Sequence, residues 1–334
     1  MYEKGSAAID AVRVRAPARL HFGFLDLNGS LGRRFGSLGL TLENPTTDIL
    51  VVRAPAGAAS VKENGRIART VQAASAFLDV PSGVDVRVEA EIPPHAGFGS
   101  GTQLALAIVT GMARLLGRPL DLRKAAGALD RGNRSGVGLA AFCHGGFILD
   151  GGRDQSGEPP PVLSRMDFPE AWRVLLILDD RESGIHGTAE AAAFRDLPSF
   201  PEAEAAHLCR IAVMQILPAL ALGDIGSLGR GLAEIQRCLG DHFAPFQGGG
   251  RFTSPAVAAA LARLESMGIK GVGQSSWGPT GFAVLGSEDD ARHARNELRR
   301  DADENLRFLV TRGRNRGADI IDLDRCAREV GHIR

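Results

Sequence analysis

The chain of 334 residues carries 39 Lys and Arg against 39 Asp and Glu, so its formal net charge is zero, and it contains 42 glycines. At a usual glycine share of roughly 7%, a chain of this length would hold about 23 glycines, so glycine is nearly twofold in excess. The balanced charge argues against a nucleic-acid-binding protein and against an acidic or disordered tail, and it favours a small-molecule partner.

The hydrophobic pattern predicts a globular protein of one large or two modest domains, with 44% hydrophobic and 23% charged residues. In chain order, periodicity predicts strands 11–15 and 48–53, helix 66–79, strand 84–92, helices 102–116 and 121–131, strands 146–150 and 173–178, helices 202–221, 224–239 and 255–267, strands 269–274 and 280–285, helix 287–300 and strand 305–311. Because strands precede, separate and follow the helices without strict alternation, we expect an α+β protein. A proline-rich connector near residue 158 divides the chain into predicted domains 1–155 and 156–334.

The four cysteines lie far apart and form no CxxC pair: Cys143, Cys209, Cys238 and Cys326. This spacing argues against a disulfide framework or a zinc site and predicts buried, unpaired thiols in a reducing compartment. The N-terminal residues lack the apolar core of a signal peptide, and no uninterrupted apolar stretch approaches the roughly 18 residues that a membrane span requires. We therefore expect a cytoplasmic protein.

The sharpest local feature is a glycine-rich turn between strand 84–92 and helix 102–116. It reads Pro93-Pro94-His95-Ala96-Gly97-Phe98-Gly99-Ser100-Gly101-Thr102. Free backbone N–H groups and the positive dipole end at a helix start form an anion site without a basic side chain, so we expect phosphate to bind here. The glycine spacing matches neither the dinucleotide fingerprint nor the P-loop. The alternative is a tight turn in which Ser100 or Thr102 caps the helix.

This turn resembles the phosphate loop of the galactose, homoserine, mevalonate and phosphomevalonate (GHMP) kinase superfamily. Residues 16–23, Ala-Pro-Ala-Arg-Leu-His-Phe-Gly, are similar to the first motif of that superfamily, and the glycine-rich hairpin 271–285 falls where its third motif lies. The resemblance implies two α+β domains with the phosphate loop between them.

One position departs from the kinase pattern. Many kinases of this superfamily carry a Ser-Gly-x-Asp stretch whose Asp orients or deprotonates the attacking hydroxyl. The matching stretch here is Ser135-Gly136-Val137-Gly138, so glycine stands in the place of the Asp. The expected kinase base is therefore missing.

Four segments are more similar to a non-kinase branch, the β-ribofuranosylaminobenzene 5'-phosphate synthases: residues 19–29, 131–138, 144–152 and 273–280. The resemblance implies a pentosyltransferase of tetrahydromethanopterin biosynthesis. It joins phosphoribosyl diphosphate to 4-aminobenzoate, or to 4-hydroxybenzoate in some members, and releases diphosphate and carbon dioxide. No ATP is consumed, so the missing Asp is expected. The alternatives are an ATP-dependent small-molecule kinase and a catalytically silent ligand-binding protein.

The implied reaction forms a carbon–carbon bond between the anomeric carbon and the ring carbon that bears the carboxylate. Loss of diphosphate gives an oxocarbenium-like centre, and backbone amides of the glycine-rich turn together with Mg²⁺ can stabilise the departing group. Loss of carbon dioxide restores aromaticity, so a strong general base is not required at that carbon. The para group of the ring must donate electrons, and a histidine could accept its hydrogen bond. The resemblance also implies a homodimer.

The candidate catalytic residues lie on the first motif. The first motif is predicted to form a strand, in which Arg19 and His21 share one face, and we expect Arg19 to bind a phosphate or carboxylate in a bidentate contact. Asp26 follows at the strand end and is the candidate magnesium ligand. The alternatives are a surface ion pair and a strand-end cap. Arg33 and Arg34 are further candidates, for the ribose 5'-phosphate.

The candidate substrate-binding residues come from three other segments. The glycine-rich turn contributes Pro94, Gly97, Gly99, Ser100, Gly101 and Thr102. Arg131 and Arg134 are expected to clamp a phosphate. The third motif contributes Gln274, Ser275, Ser276 and Trp277, with Trp277 expected to stack on the aromatic substrate. The alternative for this last segment is a hairpin with a packed tryptophan.

Overall fold

The computed structural model describes residues 9–54, 65–80, 83–182, 184, 187–301 and 303–323, so Cys326 lies outside the described residues. Within them, helices pack on two antiparallel sheets, and the predicted α+β class is confirmed. Every strand and helix predicted from periodicity has a counterpart, and most of the predicted ends are correct within a few residues. The first two strands are much longer than predicted, Ala11–Asp26 instead of 11–15 and Phe35–Arg53 instead of 48–53.

The first sheet has the strand order β10-β1-β2-β4-β5, and β3 pairs with β2. Its strands are β1 (Ala11–Asp26), β2 (Phe35–Arg53), β3 (Val84–Ala90), β4 (Phe147–Asp150), β5 (Val162–Met166) and β10 (Asp319–Leu323). In the first half of β1, exposed Arg13 and Arg15 alternate with buried residues, whereas the second half is buried on both faces. This change carries Arg19 and His21 into the interior of the protein.

Four helices belong to this sheet: α1 (Gly65–Leu78), α2 (Ser100–Leu115), α3 (Leu122–Ala128) and α4 (Val137–Cys143). Helices α2 and α4 pack on β1 and β2, and α1 and α3 pack on α2. Almost all of α2 is buried, as expected for a helix that is apolar around most of its circumference. Because α2 begins at Ser100, its buried body holds the glycine-rich turn against β1.

The second sheet consists of β6 (Arg173–Asp179), β7 (Val272–Gln274), β8 (Gly281–Leu285) and β9 (Leu306–Thr311), in the order β7-β8-β6-β9. The helices of this half are α5 (Gly187–Asp196), α6 (Glu202–Ile211), α7 (Leu217–Leu222), α8 (Ile225–Phe243), α9 (Pro255–Ser266) and α10 (Glu288–Asp301). Helix α8 contacts both β1 and β7, and one hydrophobic core contains Leu20 and Phe22 of β1 together with Val174 and Leu176 of β6. The two sheets therefore share a core around the second half of β1.

Four short elements were not predicted from periodicity: α4, β5, α5 and β10. Each has ten residues or fewer, which is too short for a clear helical or strand period. Strands β5 and β10 pair with β4 and β1 of the first sheet, although the predicted boundary at residue 155 assigns both to the second domain. The sheets instead divide after Met166, and the described end of the chain returns to the first sheet.

One helical stretch, Glu202–Leu222, is long and apolar enough to cross a membrane by length and composition. It joins α6, a π-helical turn (Ala212–Ile216) and α7. Helix α6 packs on β1, and 39% of the most apolar window is buried inside the protein. Core helices of soluble proteins meet the same criterion, so the stretch is only weak support for a membrane span.

The three described cysteines are unpaired. Cys238 is buried and Cys143 is half-buried, and burial raises the pKa of each thiol to about 11. Cys209 is exposed, so the expectation of buried thiols is wrong for this residue.

Candidate active site

Two segments meet at the glycine-rich turn: the middle of β1 and the β7–β8 turn. The Arg19 backbone N–H donates to Phe98 O (3.1 Å), and the Arg19 guanidinium donates to Gly97 O. The Ser275 hydroxyl also donates to Gly97 O (2.7 Å) and accepts from the His21 backbone N–H (3.1 Å). Regions that are far apart in sequence therefore form one hydrogen-bonded site.

Glycine is required at two positions of this turn. Gly97 has a φ of 82°, and a Cβ there would collide with the Ser275 carbonyl oxygen; Gly99, the N-cap of α2, has a φ of 76°. Both angles lie in the left-handed region that favours glycine. No side chain caps α2, so the alternative of a Ser100 or Thr102 cap is wrong. The uncapped helix start presents backbone N–H donors and the positive dipole end to the space beside it.

A cavity of about 240 Å³ occupies that space. It brings together many of the predicted site residues, and its lining includes Arg19, Gly97, Gly99, Ser100, Gly101, Thr102, Arg131, Ser276 and Trp277. Three larger cavities, of about 490, 580 and 310 Å³, contain none of the predicted site residues. We refer to the 240 Å³ space as the loop cavity.

Two arginines in the loop cavity have no carboxylate partner within the part of the chain that the structure describes. Burial lowers the pKa of Arg19 to about 10, against the opposing effect of the Glu190 carboxylate, and burial also lowers the pKa of Arg131. Neither guanidinium forms an ion pair with a carboxylate of the described residues, and Arg131 Nε has no hydrogen-bond partner among them. A buried cation is unfavourable until an anion joins it. The two arginines and the start of α2 therefore favour a multiply charged anion.

Arg134 has a different environment from Arg131, although both were predicted to clamp phosphate. The Arg134 guanidinium forms an ion pair with Glu190 (2.7 Å) and lies over the ring of Phe194, 4.9 Å from its centroid. Glu190 and Phe194 are one turn apart on α5. In this structure α5 therefore engages Arg134, whereas Arg131 faces the loop cavity.

Two of the third-motif residues serve the structure of the β7–β8 turn. The Gln274 side chain accepts from the Thr253 N–H (2.6 Å) and donates to Gln247 Oε1 (3.0 Å). Ser275 is fully buried, with its hydroxyl bound to the glycine-rich turn. Both residues hold the site together and present no free polar group to a substrate.

The other two third-motif residues line the loop cavity. The Ser276 N–H donates to His21 O (3.1 Å), which ties this turn to β1. Trp277 is 3% exposed and stacks on Phe194, with centroids 4.9 Å apart and planes 11° apart. It also contacts Phe243 edge to face, at 4.7 Å. The ring predicted to stack on the substrate is thus covered by aromatic side chains of the protein.

His21 is a buried imidazole without hydrogen bonds to either ring nitrogen among the described residues. It is 2% exposed, its ring contacts Phe24 at 4.7 Å, and it borders a small cavity of about 30 Å³ shared with Ser276 and Trp277. Burial, with a smaller contribution from the charge of Arg19, holds the pKa of His21 well below its usual range. At neutral pH the ring is therefore uncharged, with one donor and one acceptor nitrogen available to a ligand.

Asp26, the predicted magnesium ligand, lies away from the loop cavity. It is seven residues beyond Arg19, roughly 23 Å along an extended strand, and it does not line the cavity. Its Oδ1 accepts from the N–H groups of Asn28 and Gly29, both at 2.8 Å. The carboxylate thus stabilises the turn after β1, as in the strand-end alternative, and one metal ion does not reach both Asp26 and the glycine-rich turn.

The oxygen donors of the loop cavity suit magnesium only in part. They include the hydroxyls of Ser100 and Thr102 and the Glu190 carboxylate, which Arg134 already neutralises. No group of three His, Cys, Asp or Glu among the described residues forms a metal site. Mg²⁺ commonly keeps several waters and binds through substrate phosphates. The residues therefore fit a magnesium ion that arrives with a diphosphate.

Three further candidates lie outside the loop cavity. Pro94 is exposed and does not line it. Arg33 forms an ion pair with Asp154 (2.7 Å), and Arg34 donates to Leu27 O (2.9 Å). Both arginines stabilise the loop between β1 and β2, so their proposed contact with a ribose 5'-phosphate has no support in this structure.

Gly138 allows α4 to pack closely on α2. A Cβ at this position would lie 3.2 Å from Cγ2 of Thr102, and the Gln103 side-chain amide donates to Gly138 O (2.8 Å). The place of the kinase Asp is therefore used for helix packing beside the loop cavity.

Glu190 and Phe194 were missed from the sequence, although they contact Arg134 and Trp277. They lie on α5, whose alanine-rich sequence is a strong helix former. That composition could have predicted the helix, but its contacts with residues more than fifty positions away could not be read from local pattern.

The sequence matches the GHMP kinases N terminal domain over residues 65–146 and the GHMP kinases C terminal domain over residues 216–304. It is 31% identical to the beta-ribofuranosylphenol 5'-phosphate synthase of Archaeoglobus fulgidus, over 92% of this chain and 99% of that protein. It is also 31% identical to the enzyme of the same name from Methanothermobacter thermautotrophicus, over 92% of this chain and 98% of that protein.

Solved structures agree with the fold. Mevalonate pyrophosphate decarboxylase from Streptococcus pyogenes has a TM-score of 0.68 at 16% identity, over 92% of this chain and 98% of that one. Homoserine kinase from Cytophaga hutchinsonii has a TM-score of 0.64 at 16% identity, over 96% of this chain and 100% of that one. At such identities these structures show the fold alone, and the predicted GHMP-kinase-like fold is confirmed.

Proposed function

The chain belongs to the beta-ribofuranosylphenol 5'-phosphate synthase family within the GHMP kinase superfamily, and from this membership we propose that it transfers a phosphoribosyl group from phosphoribosyl diphosphate to 4-hydroxybenzoate or 4-aminobenzoate. The products are the C-riboside 5'-phosphate, diphosphate and carbon dioxide, in tetrahydromethanopterin biosynthesis. The name of the relatives specifies a phenol, which favours 4-hydroxybenzoate as the acceptor.

The observation that carries this proposal is the loop cavity, where no described carboxylate pairs with Arg19 or Arg131 beside the uncapped start of α2. Negative charge develops on the diphosphate as its bond to the anomeric carbon breaks. Donors already fixed around that group stabilise it without reorganisation. The guanidiniums and backbone N–H groups therefore assist departure of the diphosphate as well as its binding.

Magnesium belongs to the proposal as a companion of the diphosphate. The hydroxyls of Ser100 and Thr102 are the protein groups best placed to join it, because both line the loop cavity and neither is engaged by an arginine. Bound there, Mg²⁺ would neutralise part of the charge on the departing diphosphate. Ser100 and Thr102 replace Asp26 as the proposed magnesium ligands, because Asp26 does not line the loop cavity.

His21 is proposed to bind the para group of the acceptor. As the new carbon–carbon bond forms, the para hydroxyl or amino group pushes electrons into the ring and becomes a stronger hydrogen-bond donor. The uncharged His21 ring offers an acceptor nitrogen without a partner among the described residues. The bond from the ring to the carboxylate then breaks, its electron pair restores aromaticity, and carbon dioxide leaves.

The direct test is to incubate the protein with phosphoribosyl diphosphate, magnesium and carboxyl-labelled 4-hydroxybenzoate or 4-aminobenzoate. We expect labelled carbon dioxide and diphosphate in equal amounts. No release from either acid would overturn the proposal. ATP hydrolysis that depends on a small alcohol would instead support the kinase alternative, against which Gly138 already argues, and ligand binding without any product would support the silent binding protein.

A cytoplasmic location and a homodimer complete the proposal. The unpaired Cys143, Cys209 and Cys238 support a reducing compartment. Size-exclusion chromatography with light scattering tests the dimer, since a monomeric mass across the working concentration range would contradict it.

A further inference from the structure

Helix α5 places a carboxylate and a phenyl ring side by side in the site. The Glu190 carboxylate pairs with Arg134 at 2.7 Å, and the Phe194 ring stacks on Trp277 at 4.9 Å. The two residues are four apart on one helix, so their Cβ atoms are about 5–6 Å apart. A carboxylate next to a phenyl ring is the chemical composition of a benzoate.

We propose that α5 occupies the acceptor subsite, and that an aromatic carboxylic acid binds by displacing Glu190 and Phe194. The carboxylate of the acid then pairs with Arg134, and its ring stacks on Trp277. This inference rests on the proposed function for the identity of the acid, 4-hydroxybenzoate, and it assigns Arg134 to the acceptor and not to a phosphate.

The space beside His21 supports this assignment. The open volume there is about 30 Å³, which suffices for a water molecule but not for an aromatic ring. A ring that reaches His21 must therefore take space that a protein side chain now fills. Phe194 fills such a space, since it lies on Trp277 and 5.8 Å from Phe24, whose ring contacts His21 at 4.7 Å.

The subsite also lies next to the loop cavity. Glu190 and Trp277 line that cavity, so an acid that replaces the α5 side chains lies beside the bound diphosphate and the anomeric carbon. Arg134 fixes the carboxylate end of the acid at this border, and His21, whose ring nitrogens have no partner among the described residues, borders the small cavity that Trp277 also lines. The ring carbon that bears the carboxylate thus faces the carbon that it attacks.

Because Glu190 and Phe194 occupy the subsite, the apparent affinity for the acid falls in proportion to the fraction of protein molecules in which the subsite is open. We therefore expect Glu190→Gln and Phe194→Leu each to tighten the binding of 4-hydroxybenzoate by about three- to tenfold. Arg134→Met removes the cation that binds the carboxylate and should weaken binding at least tenfold. Asp196→Asn is the matched control, because Asp196 is an exposed acid on α5 that does not line either cavity.

The test is calorimetric titration of 4-hydroxybenzoate into the full-length protein without phosphoribosyl diphosphate, together with quenching of Trp277 fluorescence in a Trp172→Phe background. Tighter binding in Glu190→Gln and weaker binding in Arg134→Met, with an unchanged control, supports the proposal, and Glu190→Gln suffices if Phe194→Leu fails to fold. Equal or weaker binding in Glu190→Gln, undiminished binding in Arg134→Met, or no binding to the wild-type protein overturns it. Normal binding without turnover would overturn the proposed function alone.

Discussion

The two sides of the site differ in how their charged and aromatic groups are satisfied. In the loop cavity, Arg19 and Arg131 are partly desolvated and have no carboxylate partner among the described residues. On the acceptor side, Arg134 is paired with Glu190 and Trp277 is covered by another ring. Within the described residues, the arginines of the first side lack a balancing negative charge, which an anion can supply, whereas Arg134 on the second side already has one in Glu190.

This difference predicts different costs of binding. In the proposed function, a diphosphate enters a formed cavity of about 240 Å³, and its charge compensates two partly buried guanidiniums. The aromatic acid must first displace side chains of α5, so part of its interaction energy is lost to that displacement. Substitutions in the loop cavity should therefore reduce phosphoribosyl diphosphate use most strongly.

The largest effect is expected from Arg131→Met, which keeps much of the side-chain volume and removes the charge. A charged hydrogen bond to the diphosphate is worth up to about 3 kcal/mol, or roughly 100-fold. We expect kcat/KM for phosphoribosyl diphosphate to fall by about that factor in steady-state assays, with little change in acceptor binding measured by calorimetry. Arg118→Met, an exposed arginine outside the cavity, is the control. An equal loss in acceptor binding would erase the distinction between the two sides.

The next effect is a pH dependence of stability that belongs to His21. Its pKa is well below the usual value in the folded protein and about 6.5 in the unfolded chain. Below pH 6.5 the unfolded state therefore binds a proton that the folded state does not, and stability falls by up to about 1.4 kcal/mol per pH unit. Above pH 6.5 both states are neutral and the contribution vanishes.

His21→Gln removes this titration. From urea unfolding at pH 7.5 and pH 5, we expect the free energy of unfolding of the wild type to drop more than that of the variant, by up to about 2 kcal/mol. His293→Gln, at an exposed histidine of α10, should behave like the wild type. If the difference in free energy of unfolding between wild type and His21→Gln stays constant with pH, the pKa of His21 is not lowered in the folded protein.

Much of the fold was predictable because long periodic segments and glycine-rich motifs are local signals. The sequence predicted the start of β1 and nearly all of α2, and the motif resemblance grouped Arg19, Gly99 and Arg131 in one site before any geometry was known. Gly138 was also foreseen as the place where a kinase base is absent. In the structure, Gly138 O accepts a hydrogen bond from Gln103, and Thr102 leaves little space for a side chain at position 138.

The acceptor side was harder to predict because its contacts are non-local. Arg131 and Arg134 look equivalent in sequence, but α5 gives Arg134 a carboxylate partner, and no other described element gives one to Arg131. The first motif does not show how far Asp26 lies from the glycine-rich turn, because that distance depends on the length of β1. Trp277 was expected to be open to substrate, whereas tertiary packing places Phe194 on it.

The smallest expected effect, and the most specific to the loop cavity, comes from Gly101→Ala. Unlike Gly99, whose φ of 76° strains any substitution, Gly101 lies in the first turn of α2, and its Cβ would be 3.5 Å from Arg131 Nη1, an ordinary contact. Alanine in a helix is more favourable than glycine by about 0.5–1 kcal/mol, so thermal stability should not fall. The methyl group nevertheless narrows the path to the backbone N–H groups.

We therefore expect the KM for phosphoribosyl diphosphate to rise about tenfold, or about 1.4 kcal/mol, while the KM for the aromatic acid stays the same. Gly127→Ala is the matched control, since Gly127 is also helical and its Cβ would meet open space. If both variants keep the wild-type KM, the diphosphate does not approach the start of α2. If Gly101→Ala raises only the KM for the acid, the assignment of the two sides is reversed, because the added methyl group contacts nothing but the anion path and Arg131.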